Sequence, residues 1–343
     1  MGQQKELTGK PTLMKELNMG LIRDALAKHQ NATRVELAAI TRISQPTVNE
    51  LIRQMLKENV VISLGMAKST GGRKAEVFAL NQKRSCIASF LVNERCVEYM
   101  VMDLQLHRES SGKAERDPGQ TCLDQLCQII RDVLNSSQYV GAITVGVPGA
   151  VSADGEVLAI PQIPEWENFN LKTYLKEAFS LPVIVMNDIN AIAVGHSCSY
   201  RDGTPNMVYV HIGRSGIGAG IIINGKLYPG FKSFAGEVGY MQVGDTNGRA
   251  EGRMGDLDVR GDHMNLIPKI VTNIVCVLNP ETIVIGGEEM EEELLEHIRT
   301  GCLNYLPEEI LPEFVMMQSS TESYFRGLGK AGKDLLDQHI RLV

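Results

Sequence analysis

Residues 207–230, MVYVHIGRSGIGAGIIINGKLYPG, decide the fold class of most of this 343-residue chain. Two apolar runs, at 207–212 and 217–223, flank a glycine-rich turn, and each has the length and composition of a buried β-strand. Asn224 and Gly225 then form a dipeptide that is a strong short-range signal of a β-hairpin. The stretch therefore predicts paired strands joined by tight turns.

The same kind of pattern continues on both sides of this stretch. Before it, the sequence predicts strands at 86–92, 96–103, 107–114, 140–147 and 182–186, with helices at 123–134, 171–179 and 189–196. After it, the sequence predicts strands at 239–243, 282–285 and 314–317, with helices at 266–278, 291–305 and 324–340. Strands that alternate with helices predict a mixed α/β body. Its two similar halves would enclose a cleft, the usual place for a small ligand.

The charge of the chain is distributed unevenly. Residues 1–84 carry 14 Lys and Arg against 7 Asp and Glu, whereas the remaining 259 residues carry 20 against 34. A basic segment joined to an acidic body is typical of a polyanion-binding module with a separate partner domain. The alternative is that the basic residues cluster by chance. The order of the residues in this segment has to distinguish a polyanion-binding module from chance clustering.

Three helices are predicted in the basic segment. Apolar residues at three- and four-residue steps predict the first helix at 12–30. Thr33, with Glu36 three residues later, forms the capping-box signature of a second helix. Ser44 predicts the start of a third, with Pro46 in its first turn, where a missing N–H does no harm.

The third helix has the two faces of a recognition helix in a helix-turn-helix. Its apolar face would pack on the second helix, and its polar face could bind base edges and phosphates, because Asn and Gln suit adenine and Arg suits guanine. The residues predicted to contact DNA from this helix are Gln45, Thr47, Asn49 and Arg53. Arg42 stands where the motif usually has glycine, so its φ is either negative in a different turn or mildly strained.

Two short strands near 60–64 and 76–80 flank the basic, glycine-rich tip KSTGGRK at 68–74 and predict a wing. Glycines let the backbone approach a groove closely, and Arg73 and Lys74 would displace counterions from phosphates. A helical protein–protein module with a surface hairpin is the alternative. The charge, the polar helix face and the basic tip together favour operator DNA as the partner.

Composition excludes several other classes of protein. Hydrophobic residues make up 43% and charged residues 22% of the chain, as in an ordinary globular protein. No apolar run reaches the roughly 18–20 residues of a membrane span, and the first residues form no apolar signal segment. The seven cysteines are scattered without a C-x-x-C pair, which fits a reducing compartment. We therefore expect a cytoplasmic protein without a membrane partner.

Several motifs, in order, resemble those of the ROK family, which comprises repressors, open reading frames and sugar kinases. They are GGRKAEVFALN (71–81), VGVPGAVSADGEVL (145–158), NDIN (187–190), GIGAGIIINGKLYPG (216–230), AGEVGYM (235–241) and LNPETIVIGGE (278–288). The resemblance implies an actin-like ATPase (ribonuclease H-like) two-lobed α/β body preceded by a winged helix-turn-helix domain. We expect the DNA-binding domain at 1–82, the first lobe at 83–188 with the C-terminal helix 324–343, and the second lobe at 189–323.

The phosphate-binding motifs of the family's kinases are altered in this chain. At the first, Asp-x-Gly-Gly-Thr, this sequence reads Leu91-Val92-Asn93-Glu94-Arg95, so the glycines that would let backbone N–H groups cradle phosphates are missing. At the second, Arg214 replaces a glycine, although Ser215 keeps a hydroxyl. We therefore expect a non-catalytic homologue that needs no cofactor.

The resemblance also implies a ligand site. Asp188 matches the base that takes a proton from the sugar hydroxyl in the kinases, and without the phosphate cradle its remaining role would be to accept a hydrogen bond from a sugar. Asn187 and Glu237 match sugar-contact positions, and Tyr240 stands where relatives have a histidine. Asn187 and Asp188 also have the pattern of a helix cap. Capping a helix and contacting a ligand are compatible roles.

The zinc site of most relatives is not matched. It joins the histidine that Tyr240 replaces to a downstream cysteine cluster, but residues 244–261 contain neither cysteine nor histidine. Tetrahedral zinc sites need such ligands, so we predict no metal. The changed position also implies an effector that differs from the usual hexose.

These observations lead to one main hypothesis and two alternatives. The main one is a ROK-type repressor that binds operator DNA and senses a carbohydrate or sugar phosphate, working as a homodimer or as a tetramer built from it. The alternatives are an ATP-dependent sugar kinase with an added DNA-binding domain, and a DNA-binding protein whose ligand pocket has decayed.

Overall fold

The computed structural model describes residues 11–66, 75–81, 85–137, 139–200, 205–213, 216–243, 265–287 and 290–342. Contacts divide the chain into two units. The first contains Met1–Cys86, Asp103–Gln105 and Asp334–Val343, and the second contains Ile87–Met102 and Leu106–Lys333. Among the helices of the described residues, none has both the length and the apolar character needed to cross a bilayer.

The amino-terminal unit contains the predicted three helices and a small sheet. In chain order its elements are α1 (Pro11–His29), β1 (Ala32–Thr33), α2 (Arg34–Thr41), α3 (Gln45–Lys57), β2 (Val61–Met66) and β3 (Glu76–Leu80). The strands form one sheet in the order β1-β3-β2, all antiparallel. The helices and both wing strands confirm the prediction, whereas β1 was not predicted because two residues are too few to show a period.

The ends of α2 and α3 are fixed by the residues that predicted them. Thr33 caps α2, accepting from the Glu36 N–H, while the Glu36 carboxylate accepts from the Thr33 N–H at 2.7 Å. Ser44 caps α3 by accepting from the Thr47 N–H. Arg42 between the helices has φ 59° and ψ 22°, the left-handed conformation that favours glycine. The turn therefore keeps the helix-turn-helix geometry at the cost of mild strain, and the alternative of a negative φ is excluded.

An apolar core holds the described part of this unit together. The buried side chains come from all three helices and from the sheet: Ile22, Leu26, Leu37, Val48, Leu51, Ile52, Met55, Val61 and Phe78. The apolar face predicted for α3 is thus buried against α1, α2 and the wing strands, which leaves its opposite face to solvent.

Two pieces of the remaining elements, Cys86 at the start of a strand and the last helix from Asp334 onward, are assigned to the first unit. The remaining strands and helices otherwise belong to the second unit. Its strands are β4 (Cys86–Val92), β5 (Cys96–Met102), β6 (Arg108–Glu115), β7 (Val140–Val147), β8 (Ala150–Val151), β9 (Glu156–Ala159), β10 (Phe169–Asn170), β11 (Val183–Asn187), β12 (Met207–Gly213), β13 (Gly216–Ile223), β14 (Lys226–Leu227), β15 (Thr282–Gly287) and β16 (Glu313–Met317). Its helices are α4 (Cys122–Ser136), α5 (Leu171–Phe179), α6 (Asp188–Ser197), α7 (Leu266–Leu278), α8 (Glu292–Leu303) and α9 (Thr321–Leu342).

Two five-stranded sheets form the framework of this unit. One has the order β11-β7-β4-β5-β6, and the other has the order β14-β13-β12-β15-β16. In the first, β11 pairs with β7 in parallel and β4 pairs with β5 antiparallel; in the second, β12, β15 and β16 are parallel and β13 is antiparallel to β12. The paired sheets, each combined with helices, confirm the mixed α/β prediction.

Helices α6 and α9 cross between these sheets. α6 leads from β11 of the first sheet to β12 of the second, and α9 follows β16 of the second. Further along α9, Gly332 lies against Ile87 and Thr144 of the first sheet. Both helices contribute to an apolar cluster that contains residues of both sheets: Met102, Ala191, Ala193, Tyr209, Val284, Tyr324 and Phe325.

The predicted strand at 239–243 is wrong. Residues Val238–Tyr240 form a short 3₁₀ helix instead, with the Met241 N–H bonded to the Val238 carbonyl at 3.0 Å. Gly236, with φ +96°, turns the chain immediately before it, and so the segment cannot continue extended along β13.

Candidate functional site

Asn187 and Asp188 lie where β11 ends and α6 begins. The Asn187 side-chain oxygen caps α6 by accepting from the Asn190 N–H at 3.0 Å, and its Nδ2 donates to the Gly149 carbonyl at 3.0 Å and to Asp188 Oδ1 at 3.1 Å. The Ile189 N–H also donates to Oδ1 of Asp188, at 2.8 Å. The cap interpretation of this pair is confirmed, and the same bonds fix the direction of the Asp188 carboxylate.

The Asp188 carboxyl group is held in a place that penalises its negative charge. Burial, with a smaller contribution from the charge of Glu237, raises the pKa of Asp188 to about 6, although the hydrogen bond from Ile189 opposes the shift. A carboxyl group with this pKa exchanges its proton near neutral pH. It can therefore accept a hydrogen bond from a hydroxyl group or take its proton.

Glu237 reaches the neighbourhood of Asp188 through a tight contact with β13. The Ala219 N–H donates to the Gly236 carbonyl at 2.7 Å, and a Cβ on Gly236 would overlap the Ala219 carbonyl oxygen. Glycine is therefore required next to Glu237, both for the close approach and for the positive φ. The charge of Glu237 contributes to the raised pKa of Asp188, so these two predicted ligand residues are within electrostatic range of each other.

Tyr240 lies at the end of the short helix that follows Glu237. Its side chain is 40% exposed, and its ring contacts the ring of Phe234 with 5.5 Å between the centroids and 54° between the planes. An exposed aromatic face is suited to packing on a sugar ring.

Tyr209 and Tyr324 also lie near Asp188, and the sequence analysis did not find them. The Asp188 charge, after burial, raises the pKa of both phenols. Tyr209 forms a 3.1 Å hydrogen bond with Nδ1 of His211, two residues along the same strand. The Tyr-x-His alternation at 209–211 is a signal that could have placed both side chains on one face of β12.

The predicted DNA-contacting residues of α3 differ in how free they are to bind. Gln45, Asn49 and Arg53 are exposed, on the side of the helix opposite its buried apolar residues. Thr47 is half-buried, and its hydroxyl group hydrogen-bonds Ser44 Oγ at 2.8 Å, so it also supports the cap. Arg73 and Lys74 lie outside the described residues.

An ion pair joins the start of α2 to the wing strands. Arg34 donates to Glu76 at 3.0 Å and lies 4.3 Å above the ring of Phe78, and Ser63 donates to the other oxygen of Glu76 at 2.8 Å. The bond from Ser63, and then the one from Arg34, hold the pKa of Glu76 below its usual value. These bonds fix β2 and β3 relative to the helix-turn-helix.

The turn at the first kinase phosphate position is closed by its own side chain. Oδ1 of Asn93 accepts from the N–H groups of both Arg95 and Cys96 at 2.9 Å. Backbone donors that would face a phosphate in a glycine-rich turn are therefore already bonded here. Arg214 and Ser215, at the second phosphate position, lie outside the described residues.

No group of three or more histidine, cysteine, aspartate or glutamate side chains that could hold a metal ion occurs among the described residues. Residues 244–261, where relatives complete their zinc site, lie outside them.

Comparisons with known proteins agree with the motifs. A profile of the ROK family matches residues 96–256. The xylose repressor of Bacillus subtilis (strain 168) is 27% identical over 244 residues, which are 69% of this chain and 63% of the repressor. The DNA-binding transcriptional dual regulator NagC of Escherichia coli (strain K12) is 24% identical over 68% of this chain and 59% of its own length. The chain thus spans about 60% of the length of the named regulators that it matches.

Two further comparisons concern an uncharacterized relative and a solved structure. A protein of Clostridium perfringens (strain 13 / Type A) is 30% identical over 229 residues, which are 56% of this chain and 77% of that protein. The crystal structure of a ROK family transcriptional regulator, a homologue of the E. coli MLC protein, superposes with a TM-score of 0.73 over 96% of this chain and 99% of its own, at 18% identity. At that identity the likeness shows the shared fold.

Proposed function

Because the chain belongs to the ROK family, we propose that it is a transcriptional regulator, a repressor that binds operator DNA and responds to a carbohydrate or sugar phosphate. In this proposal residues 1–82 bind DNA, and residues 83–188 with 324–343 form one lobe of the effector-binding body. Residues 189–323 form the other lobe. The protein works in the cytoplasm and needs no cofactor or metal.

The arrangement of α3 is the single observation that carries the DNA-binding part. Its apolar face is fully engaged in the core of the amino-terminal unit, while Gln45, Asn49 and Arg53 face solvent with side chains that suit base edges. The turn at Arg42 and the cap at Ser44 support the same interpretation. The names of the relatives, xylose repressor and N-acetylglucosamine repressor, are consistent with it.

The pair of carboxyl groups, Asp188 and Glu237, supports the effector part. Carboxylates bind sugars well because each oxygen can accept from a hydroxyl group in a fixed direction. Asn187 donates a hydrogen bond to Oδ1 of Asp188 and so orients this carboxyl group. In this proposal Asn187 is therefore a positioning residue, in addition to matching a sugar-contact position of the family. Tyr240 would pack on a sugar face from the exposed side.

A homodimer is part of the proposal, because one module of this size reads a short half-site and two-fold symmetry matches a palindromic operator. An effector acts only through its different affinity for two states of the protein, so binding beside Asp188 would shift the dimer between a state that binds the operator and one that does not.

A gel-shift titration tests the proposal. The purified chain is incubated with the DNA upstream of its own gene, over a salt series, with and without pooled sugars and sugar phosphates. We expect specific retention that one pool releases, and that Asp188→Asn makes unresponsive while leaving retention intact. Retention that no pool changes would favour a decayed pocket, and the absence of specific retention at every salt concentration would count against a repressor of this gene.

A sugar kinase is the second candidate, because a carboxyl group with a pKa near 6 is suited to act as a base. The closed turn at Asn93 argues against it. A coupled assay with ATP and hexoses separates the two: turnover abolished by Asp188→Asn would establish the kinase.

A further inference from the structure

Arg42 holds a strained backbone conformation in the turn between α2 and α3. Its φ of 59° and ψ of 22° lie in the left-handed region, where glycine avoids the steric penalty that arginine incurs. Its side chain is exposed. Strained backbone that the surrounding structure maintains is concentrated at functional sites. An arginine at this position therefore calls for a role that glycine could not fill.

The turn itself does not need the arginine side chain. The Thr41 hydroxyl group donates to the Leu37 carbonyl at 2.6 Å and accepts from the Ile43 N–H at 3.4 Å. Ile43 then packs on the apolar core of the unit, and Ser44 caps α3. Neighbouring groups thus close the turn on both sides of Arg42, and loss of the guanidinium group would leave each of these contacts in place.

The guanidinium group of Arg42 does not hold the unit together either. Within the described ranges, neither a hydrogen bond nor an ion pair engages it. Arg34, at the other end of α2, shows the contrast, because it binds Glu76 at 3.0 Å and lies 4.3 Å above the ring of Phe78. Arg34 is thus a structural arginine, whereas the charge of Arg42 faces solvent in a segment whose excess of positive charge suits a polyanion.

The position of Arg42 in the chain brings it close to the helix face that is predicted to contact bases. Three peptide units separate its Cα from that of Gln45, so the two atoms lie at most about 11 Å apart. Gln45 and Asn49 are exposed on α3. The major groove that such a helix enters is about 12 Å wide and has a row of phosphates along each edge. With α3 in the groove, the long side chain of Arg42 therefore reaches the phosphates at one edge.

From these observations we propose that Arg42 is a further DNA contact, which binds a phosphate of the operator and so fixes how α3 enters the groove. The proposal rests on the proposed DNA-binding function and adds a residue to its interface. Phosphate contacts carry no sequence information, so Arg42 contributes to affinity and register and not to the choice of bases. The strained turn keeps a cation at a position where the fold alone would favour glycine.

Fluorescence anisotropy over a salt series tests this with the full chain, a labelled duplex from upstream of its own gene and a mixed-sequence duplex of the same length. We expect Arg42→Gly to weaken binding to both duplexes by the same factor, on the order of 10-fold, and to lower the slope of log K against log salt by about 1. Arg42→Gln should do the same. Arg42→Lys should keep the slope, because lysine also binds phosphate as a point charge.

Two variants in the same unit are the controls. Lys28→Ala removes one exposed positive charge from α1, and Gln30→Gly relieves a positive φ of 65° at an exposed, uncharged residue. Both should bind DNA as the parent does. Thermal unfolding of Arg42→Gly excludes a loss of folded protein as the cause of weaker binding, because glycine relieves the strain of this turn.

The outcomes separate this proposal from the broader one. A parent that binds neither duplex overturns the DNA-binding function and this proposal with it. If the parent binds and Arg42→Gly keeps its affinity and salt slope, only the role of Arg42 is overturned. A loss confined to the upstream duplex would assign Arg42 to a base, and an equal loss in Lys28→Ala would assign the effect to net charge. Either of these results overturns the phosphate contact.

Discussion

Gly195 of α6 and Gly327 of α9 face each other backbone to backbone: a Cβ on Gly195 would lie 2.7 Å from the Gly327 nitrogen, and a Cβ on Gly327 would lie 2.9 Å from the Gly195 nitrogen. The same two Cβ atoms would also overlap backbone carbonyl groups, that of Ser323 for Gly195 and that of Ala191 for Gly327. Since α6 begins at Asp188, the position of that carboxyl group depends on how α6 and α9 cross.

Replacing either glycine of this crossing should separate the two helices. We expect Gly327→Ala to destabilise the second unit by about 3 kcal/mol, because the new methyl group meets backbone atoms that cannot rotate away. Gly20→Ala in α1 is the control: no atom lies within 4 Å of the added Cβ, and alanine favours a helix, so stability should rise by about 0.5–1 kcal/mol. Denaturant unfolding measures both, and equal effects would contradict the close crossing.

Arg42 should be replaceable by glycine with a gain in stability. Its φ of 59° costs an ordinary residue about 1 kcal/mol, which glycine avoids, although glycine loses part of the gain through its freer unfolded chain. We expect Arg42→Gly to raise the melting temperature of the amino-terminal unit slightly and Arg42→Val to lower it, because a β-branched side chain tolerates this conformation least. Thermal unfolding followed by circular dichroism checks the order, and a stabilised valine variant would contradict the assigned turn.

The fold could be predicted where local signals agreed with each other. Helix 266–278 was predicted with the bounds that the structure shows, because its apolar period is strong and Asn279 ends it in a left-handed turn. The error at 239–243 arose because the segment looks apolar and extended, whereas its path is set by Gly236 against Ala219, a contact with a residue far away in the sequence. Local patterns contain no information about such a contact.

The candidate site was predictable only in the part that local sequence signals specify. Asn187 and Asp188 have the signature of a helix cap after a strand, and the cap is where the site lies. Tyr209 reaches Asp188 only because α6 packs on the second sheet, and Tyr324 only because α9 crosses α6. These are relationships between elements, so no window of sequence shows them.

Arg53 should contribute to DNA binding through charge as well as through contact with bases. We expect Arg53→Ala to weaken operator binding by about 1–3 kcal/mol and to lower the slope of log K against log salt by about 1 if the guanidinium group contacts a phosphate. Arg108→Ala is the charge-matched control, since Arg108 is equally cationic and exposed but belongs to β6 in the second unit. Fluorescence anisotropy over a salt series measures both. Identical losses for the two variants would indicate a nonspecific effect of net charge.

Asp188 should make the stability of the body depend on pH in a direction opposite to that of an ordinary salt-bridged aspartate. Its pKa is raised from 3.8 unfolded to about 6 folded, so the folded state favours the protonated form. The stability that this preference contributes is present below pH 4 and is lost as the pH rises through 6. Over that range the loss amounts to about 3 kcal/mol at 1.36 kcal/mol per pKa unit.

Asp188→Asn removes the charge but keeps an oxygen that accepts from Asn187 and Ile189. We therefore expect the variant to match the parent near pH 4 and to exceed its stability at pH 7.5 by up to about 3 kcal/mol. Asp188→Ala, which loses both hydrogen bonds, should gain less at pH 7.5 and be less stable than the parent near pH 4. Urea unfolding at a series of pH values measures the difference. A gain that is the same at pH 4 and pH 7.5 would show that burial of the Asp188 charge is not its cause.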